Sequence, residues 1–263
     1  MSLLTEIAAE IDRPVWAVSG AVRDQHRDLP VASTLELGTF APLINLLAFR
    51  DHMTEELIVR RYIYRGEAGM AGFMQNIVDA DLFTREGSRL LPTDKLTGLA
   101  NEVNDAVDRV CDQLWSGHEE LTSPVSEMAR SVLDAADDRH GMVAIAQNQD
   151  EASNPLHRLW ARLTALRLVR NEAHVEAWQA AGLGAADVEV LTEAWAGTAL
   201  QGEPTHSQNL IDLGFVSDGE VTQAGLEARS QIETATDDGV RAAYEAVDSR
   251  EFLEHLGRLP PRG

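Results

Sequence analysis

Arg167, Arg170 and His174 stand three and four residues apart, a spacing that sets all three side chains on one face of a helix. Two guanidinium groups on such a face can grip a carboxylate or a phosphate, and an imidazole beside them can move a proton near neutral pH. Trp178 follows four residues on and extends the face with an apolar wall. These four residues form a candidate ligand-binding set; the alternative is an ordinary helix ladder with a partly buried histidine. Glu172 points elsewhere on an undistorted helix. No second catalytic group lies at a defined spacing from His174, so no catalytic residue is assigned. His118 and His140 lack ligand-type neighbours, and neither His-Glu-x-x-His nor Cys-x-x-Cys occurs, so neither a metal nor another cofactor is expected. Cys111 shares an apolar stripe with Val103, Val107 and Leu114 and reads as a packing residue.

A second set has the chemistry of nucleic-acid contact. Arg60, Arg61 and Arg65 can line one edge of a helix, Gln75 and Asn76 can read adenine edges, and Arg85, Arg89 and Lys95 sit at or near a hairpin tip. The formal net charge of −21 opposes this reading, because generic affinity for DNA comes from basic residues neutralising phosphates. The charge is uneven, however. Residues 40–100 hold seven basic and eight acidic side chains and are nearly neutral, so the first half is the candidate partner for double-stranded DNA. A solvated helix surface and an ordinary charged hairpin tip explain the same residues without function. The acidic remainder suits a cationic ligand.

The elements that must position these residues follow from apolar spacing. Leu3 to about Arg27 reads as a helical lead broken at Pro14. Thr34–Arg50 has a wide apolar helical face, and His52–Tyr62 continues as helix. Gly66, Gly69 and Gly72 loosen the chain before a short helix from Phe73 to Ala80 in the position of a recognition helix. Gly117–Val125 reads as a break, with Thr122, Ser123 and Pro124 starting a new helix. A polar stretch from Gln147 to Pro155 is a linker, and a long helix over 155–181 bridges the halves and ends at Gly182.

The second half repeats the order. A helix over Asp187–Trp195 precedes another over Thr205–Leu213, capped by Thr205 or Ser207. Asp218-Gly219 between β-branched residues predicts a hairpin, and Thr222 opens a helix to about Thr236. Met74-Gln-Asn-Ile-Val-Asp-Ala-Asp-Leu-Phe matches Ser207-Gln-Asn-Leu-Ile-Asp-Leu-Gly-Phe with one extra residue, which suggests an internal duplication. The expected fold is mainly α with small β-hairpins: tandem winged helix-turn-helix modules joined by long helices. The first half would span 1–146 and the second 147–263 with the bridging helix. The second hairpin bears Asp218 and Glu220 and should repel DNA. No apolar run is long enough to cross a bilayer, and the single cysteine fits a reducing cytoplasm.

The stretches Asn154-Pro-Leu-His-Arg-Leu-Trp, Leu166-Arg-Leu-Val-Arg-Asn-Glu-Ala-His-Val, Ala180-Ala-Gly-Leu, Val221-Thr-Gln-Ala-Gly and Ile232-Glu-Thr-Ala-Thr-Asp together resemble the actinobacterial SalK-like helix-turn-helix family. That family's helix motif reads like Leu-Arg-Glu-His-Arg-Gly-Asp-Gly-His. Arg167, Arg170 and His174 keep their places, Glu172 replaces the aspartate, and Leu168, Val169, Asn171 and Ala173 replace the remaining groups. The hairpin with Thr222-x-x-Gly225 is similar to the wing of MarR-type regulators; after Thr93 the matching residue is Leu96. The resemblance implies a winged-helix fold. Three functional readings follow: a small-molecule-responsive transcription regulator, a small-molecule binding or sequestering protein on a winged-helix scaffold without DNA contact, and an enzyme using His174. The chain is expected to be a monomeric pseudo-dimer or a homodimer.

Overall fold

Apolar residues at helical spacing account for most of the observed elements. The computed structural model describes residues 2–47, 54–87, 89–137, 152–195 and 208–261; the side chains of 65–68 lie outside it. The boundary between residues 146 and 147, residues 147–151 of the polar stretch, and Thr205, Ser207 and His140 also fall outside the described residues. The described elements are α1 (Leu3–Asp24), α2 (Leu37–Leu43), α3 (Glu55–Arg61), α4 (Gly66–Asp79), β1 (Phe83–Glu86), β2 (Arg89–Pro92), α5 (Asp94–Trp115) and α6 (Glu119–Ala135). They continue with α7 (Pro155–Ala180), α8 (Ala185–Trp195), α9 (Gln208–Asp212), β3 (Val216–Ser217), β4 (Glu220–Val221), α10 (Gln223–Tyr244) and α11 (Ser249–Arg258). The protein is thus mainly helical with two small antiparallel hairpins. No described helix is long and apolar enough to cross a membrane.

Three local expectations are corrected. Pro14 does not break α1, which runs through it: Ile7, Ile11, Val15, Val18 and Val22 are all buried along one stripe. Their burial outweighs the roughly 3 kcal/mol that an interior proline costs. Gly66, Gly69 and Gly72 lie within α4 rather than before it. Each costs about 1 kcal/mol relative to alanine, and the buried stripe of Met70, Phe73, Met74 and Ile77 offsets that cost. The break near residue 117 is short: Gly117 takes φ +80 and α6 starts at Glu119, with Pro124 already inside it.

The two helix–hairpin–helix segments share the bonds that end the first helix and start the last. At the end of α4, Leu82 N–H donates to the Ile77 carbonyl; at the end of α9, Phe215 N–H donates to the Leu210 carbonyl. Asp81 and Gly214 occupy the same left-handed position, φ 57 and φ 72. The match therefore runs without the extra residue expected from the sequence. Thr93 and Thr222 each cap the following helix, through Leu96 N–H at 3.3 Å and Gly225 N–H at 3.2 Å. Each threonine hydroxyl also donates back across the hairpin, to the Asp81 carbonyl at 2.7 Å and the Gly214 carbonyl at 2.8 Å.

The hairpins differ in length. In the first, Phe83 pairs with Pro92 down to Glu86 with Arg89, and Thr54 bridges Arg89 to add a third strand position. In the second, only Val216–Val221 and Ser217–Glu220 pair, closed by Asp218 and Gly219 at φ 53 and φ 82. Two positive φ angles in a two-residue loop suit the right-handed twist of the strands, as the Asp-Gly pair predicts.

Helices α1 and α7 lie side by side in the core, α1 also packing on α11 and α7 on α6. Helix α7 is buried over most of its circumference, from Leu159, Trp160 and Leu163 to Val175 and Trp178, and α10 packs along it. At their crossing a Cβ on Gly239 would lie 3.1 Å from that of Ala173, so the missing side chain permits the close approach. The helix N-termini make parallel polar contacts. Thr5 Oγ1 donates to Asp237 at 3.0 Å, while His157 Nδ1 meets Asp108 at 2.8 Å. Asp108 and Asp237 each stand fifteen residues after their capping threonine.

Candidate anion cavity between the bridging helix and the first unit

The 3-and-4 spacing on α7 delivers Arg167, Arg170 and His174 to one face, and the helices packed there supply acids at a complementary spacing. Glu233 and Asp237, four apart on α10, hold Arg170 at 2.7 and 3.2 Å. Asp12 of α1 pairs with Arg167, whose guanidinium also lies over the Trp16 ring at 4.4 Å. Arg229 pairs with Glu233 one turn along α10. Burial by itself raises the Glu233 carboxyl, and the hydrogen bond from Arg170 with the charge of Arg229 holds it below the usual range. Burial likewise lowers the Arg170 guanidinium, and the same carboxylates raise it above its ordinary value.

His174 is corrected as a proton carrier near neutral pH. Burial first, and then the charges of Arg229 and Arg170, push it down to about 4 against the pull of Glu233. It is neutral at pH 7. Thr236 donates its hydroxyl proton to the Ile232 carbonyl at 2.8 Å. Its oxygen is therefore left to accept from His174 Nδ1 at 3.0 Å, which fixes the proton on Nδ1.

Arg167, Arg170 and His174 line a cavity of 160 Å³, together with Asp12, Asn171, Arg61, Tyr244 and the apolar side chains of Ala8, Ile11 and Leu166. Three arginines line this wall; Asp12, Glu233 and Asp237 balance Arg167 and Arg170, and Arg61 has no carboxylate partner among the described residues. Three donor atoms of the lining are buried without a hydrogen-bond partner among the described residues: Arg61 Nε, Arg170 Nε and Asn171 Nδ2. Burial lowers the Arg61 guanidinium, with Arg167 adding to the effect and Tyr62 and Glu172 opposing it. Trp178 is not part of this wall. It is buried in the second core cluster, its indole N–H donating to the Tyr64 hydroxyl at 3.1 Å.

The candidates for DNA contact separate into inward and outward groups. Arg60 pairs with Glu172 of α7, so Glu172 is engaged although it is off the arginine face. Arg61 lines the cavity. Lys95 donates to the Ala80 carbonyl at 2.8 Å and ties the end of α4 to the start of α5. The side chain of Arg65 lies outside the described residues. Gln75 and Asn76 are exposed on α4, with Gln75 donating to Asp79 at 2.7 Å. Arg85 and Arg89 are exposed on the hairpin, Arg85 pairing with Glu55 at 2.9 Å. In the second unit Asn209, the counterpart of Asn76, is committed internally to Asp187 and the Gly182 carbonyl. Around it α9 and its hairpin expose Asp212, Asp218 and Glu220.

Asp12, Asn171 and Tyr244 join the cavity without having been singled out by spacing, and Arg61 lines the cavity rather than an outer edge of its helix. The spacing of Glu233 and Asp237 mirrors that of Arg170 and His174, and it was the available signal for which face of α10 meets α7.

A profile described as a helix-turn-helix family matches residues 92–262, from the end of the first hairpin through α11. No curated protein and no solved structure matches the chain.

Proposed function

Since the chain belongs to this helix-turn-helix family, we propose that it is a DNA-binding transcription regulator built from two winged-helix units, of which the first contacts DNA. What supports the reading is the outward pairing on the first unit. Its α4 exposes Gln75 and Asn76, and its hairpin exposes Arg85 and Arg89. The helix supplies polar groups able to read base edges, and the hairpin supplies cations for phosphate. The second unit repeats the frame with Gln208 and Asn209 at the matching helix positions, Asn209 committed internally, and with Asp218 and Glu220 on its hairpin in place of the cations; it serves as a scaffold. The repeated frame and the paired α1 and α7 also favour a MarR-like pseudo-dimer within one chain. We further propose that DNA contact responds to a small molecule held against α7. A sequestering role without DNA contact is the reading favoured by the net charge of −21.

The test is a mobility-shift titration of random-sequence duplex DNA over a range of salt. Two phosphate contacts predict a log–log slope of about −2. Arg85→Glu with Arg89→Glu is expected to abolish the shift at low salt. An unchanged shift in that double variant, or none in the wild type at low salt, rejects the regulator.

A further inference from the structure

We infer that the cavity between α1, α3 and α7 is a binding site for a small organic anion, a carboxylate carried on a body about the size of a benzene ring. This deepens the small-molecule part of the proposed function and rests on it, but not on DNA contact. Three observations meet at the site. Arg61 Nε, Arg170 Nε and Asn171 Nδ2 are buried donors without acceptors among the described residues, and all three residues line the same cavity. A buried donor left unmet costs about 1–3 kcal/mol, so three on one wall mark a place built for acceptor oxygens. Of the three arginines in the lining, one keeps its charge without a carboxylate partner among the described residues, which favours an anion over the cation that the acidic chain would suggest. Arg170 and Arg167 already hold carboxylates of the protein, whereas among the described residues Arg61 pairs with none. The open charge is therefore the one on Arg61.

The size and the remaining walls define the rest of the ligand. At 160 Å³ the cavity is well below a drug-sized pocket of roughly 300–1,000 Å³. An apolar cavity of about 150 Å³ holds one benzene ring. Ile11, Leu166 and Tyr244 supply apolar surface for such a body. Inorganic phosphate would meet the charge and leave those walls without a partner. Arg61 ends α3, the helix just before α4, and an anion joining it to Arg170 would tie the first unit to the bridging helix.

The test is isothermal titration calorimetry of the full chain, without DNA, against benzoate, benzamide and inorganic phosphate. Benzoate is expected to bind with a dissociation constant in the millimolar range or tighter, and benzamide and phosphate at least tenfold more weakly. Arg61→Met leaves no described carboxylate unpaired and is expected to weaken benzoate at least tenfold with unchanged far-UV circular dichroism. Absence of benzoate binding overturns the inference, as does benzamide or phosphate binding as tightly as benzoate on the wild type alone. Unchanged benzoate affinity in Arg61→Met also overturns it. Mobility shifts without benzoate test DNA contact separately, so the two failures are distinguishable.

Discussion

Gly225 sits three residues after the capping Thr222, where α10 turns away from the second hairpin. A Cβ placed there would lie 2.6 Å from the Phe215 carbonyl oxygen, 2.8 Å from Val221 Cγ1 and 3.2 Å from Leu191 Cδ2. Two effects of Gly225→Ala oppose each other. Alanine gains about 1 kcal/mol in helix propensity. The clash costs about 1–3 kcal/mol as overpacking, and its nearest atom is backbone that cannot rotate away. The same Phe215 carbonyl accepts from Thr222 N–H at 2.9 Å, so moving it also weakens a hydrogen bond worth about 1 kcal/mol. The clash wins by about 2 kcal/mol. For a chain of this size that lowers the melting temperature by about 4 °C. Thermal unfolding followed by circular dichroism reads it directly. A Gly225→Ala protein that melts at or above the wild-type temperature refutes the close approach. The first unit carries a buried leucine, Leu96, at the matching position beside its longer hairpin, so the glycine answers local crowding rather than the frame itself.

Thr93→Val and Thr222→Val each remove a helix cap and a tie across the hairpin; each is expected to cost about 1–2 kcal/mol, read as a lower urea midpoint. Similar losses at the two sites are expected, and a loss at only one would show that the shared bonds do not carry equal weight. His174 gives a pH test. Its folded value of about 4 lies below the unfolded 6.5, so the unfolded chain takes the proton first as pH falls. Above pH 6.5 the residue contributes no pH dependence. Between pH 6.5 and 4 it destabilises the fold increasingly, by about 2 kcal/mol at pH 5. His174→Asn is expected to remove that part of the slope in urea unfolding at pH 7 and pH 5; an identical slope refutes the burial argument.

Much of the local structure was legible because it depends on neighbours in the chain. Asp218-Gly219 specifies its turn through two positive φ angles, and Thr222 and Thr93 cap helices three residues on. Arg167, Arg170 and His174 share a face because helix pitch requires it. The errors came where burial overrules propensity. Pro14 and the three glycines of α4 look like breaks in isolation, yet each lies within a helix whose buried stripe offsets the local cost. Trp178 continues the arginine face by spacing alone, but the ring turns into the second core cluster to donate to Tyr64.

From residue order alone came the repeated helix–hairpin–helix frame, its caps and turns, and the arginine face of α7, since these depend on contacts within a few residues. Only the tertiary structure decided which acids meet those arginines, that His174 is held neutral, and that Arg61 turns inward to the cavity. Charge and burial act through space, and residues as far apart as Asp12, Arg61 and Arg170 come together only when α1, α3 and α7 pack.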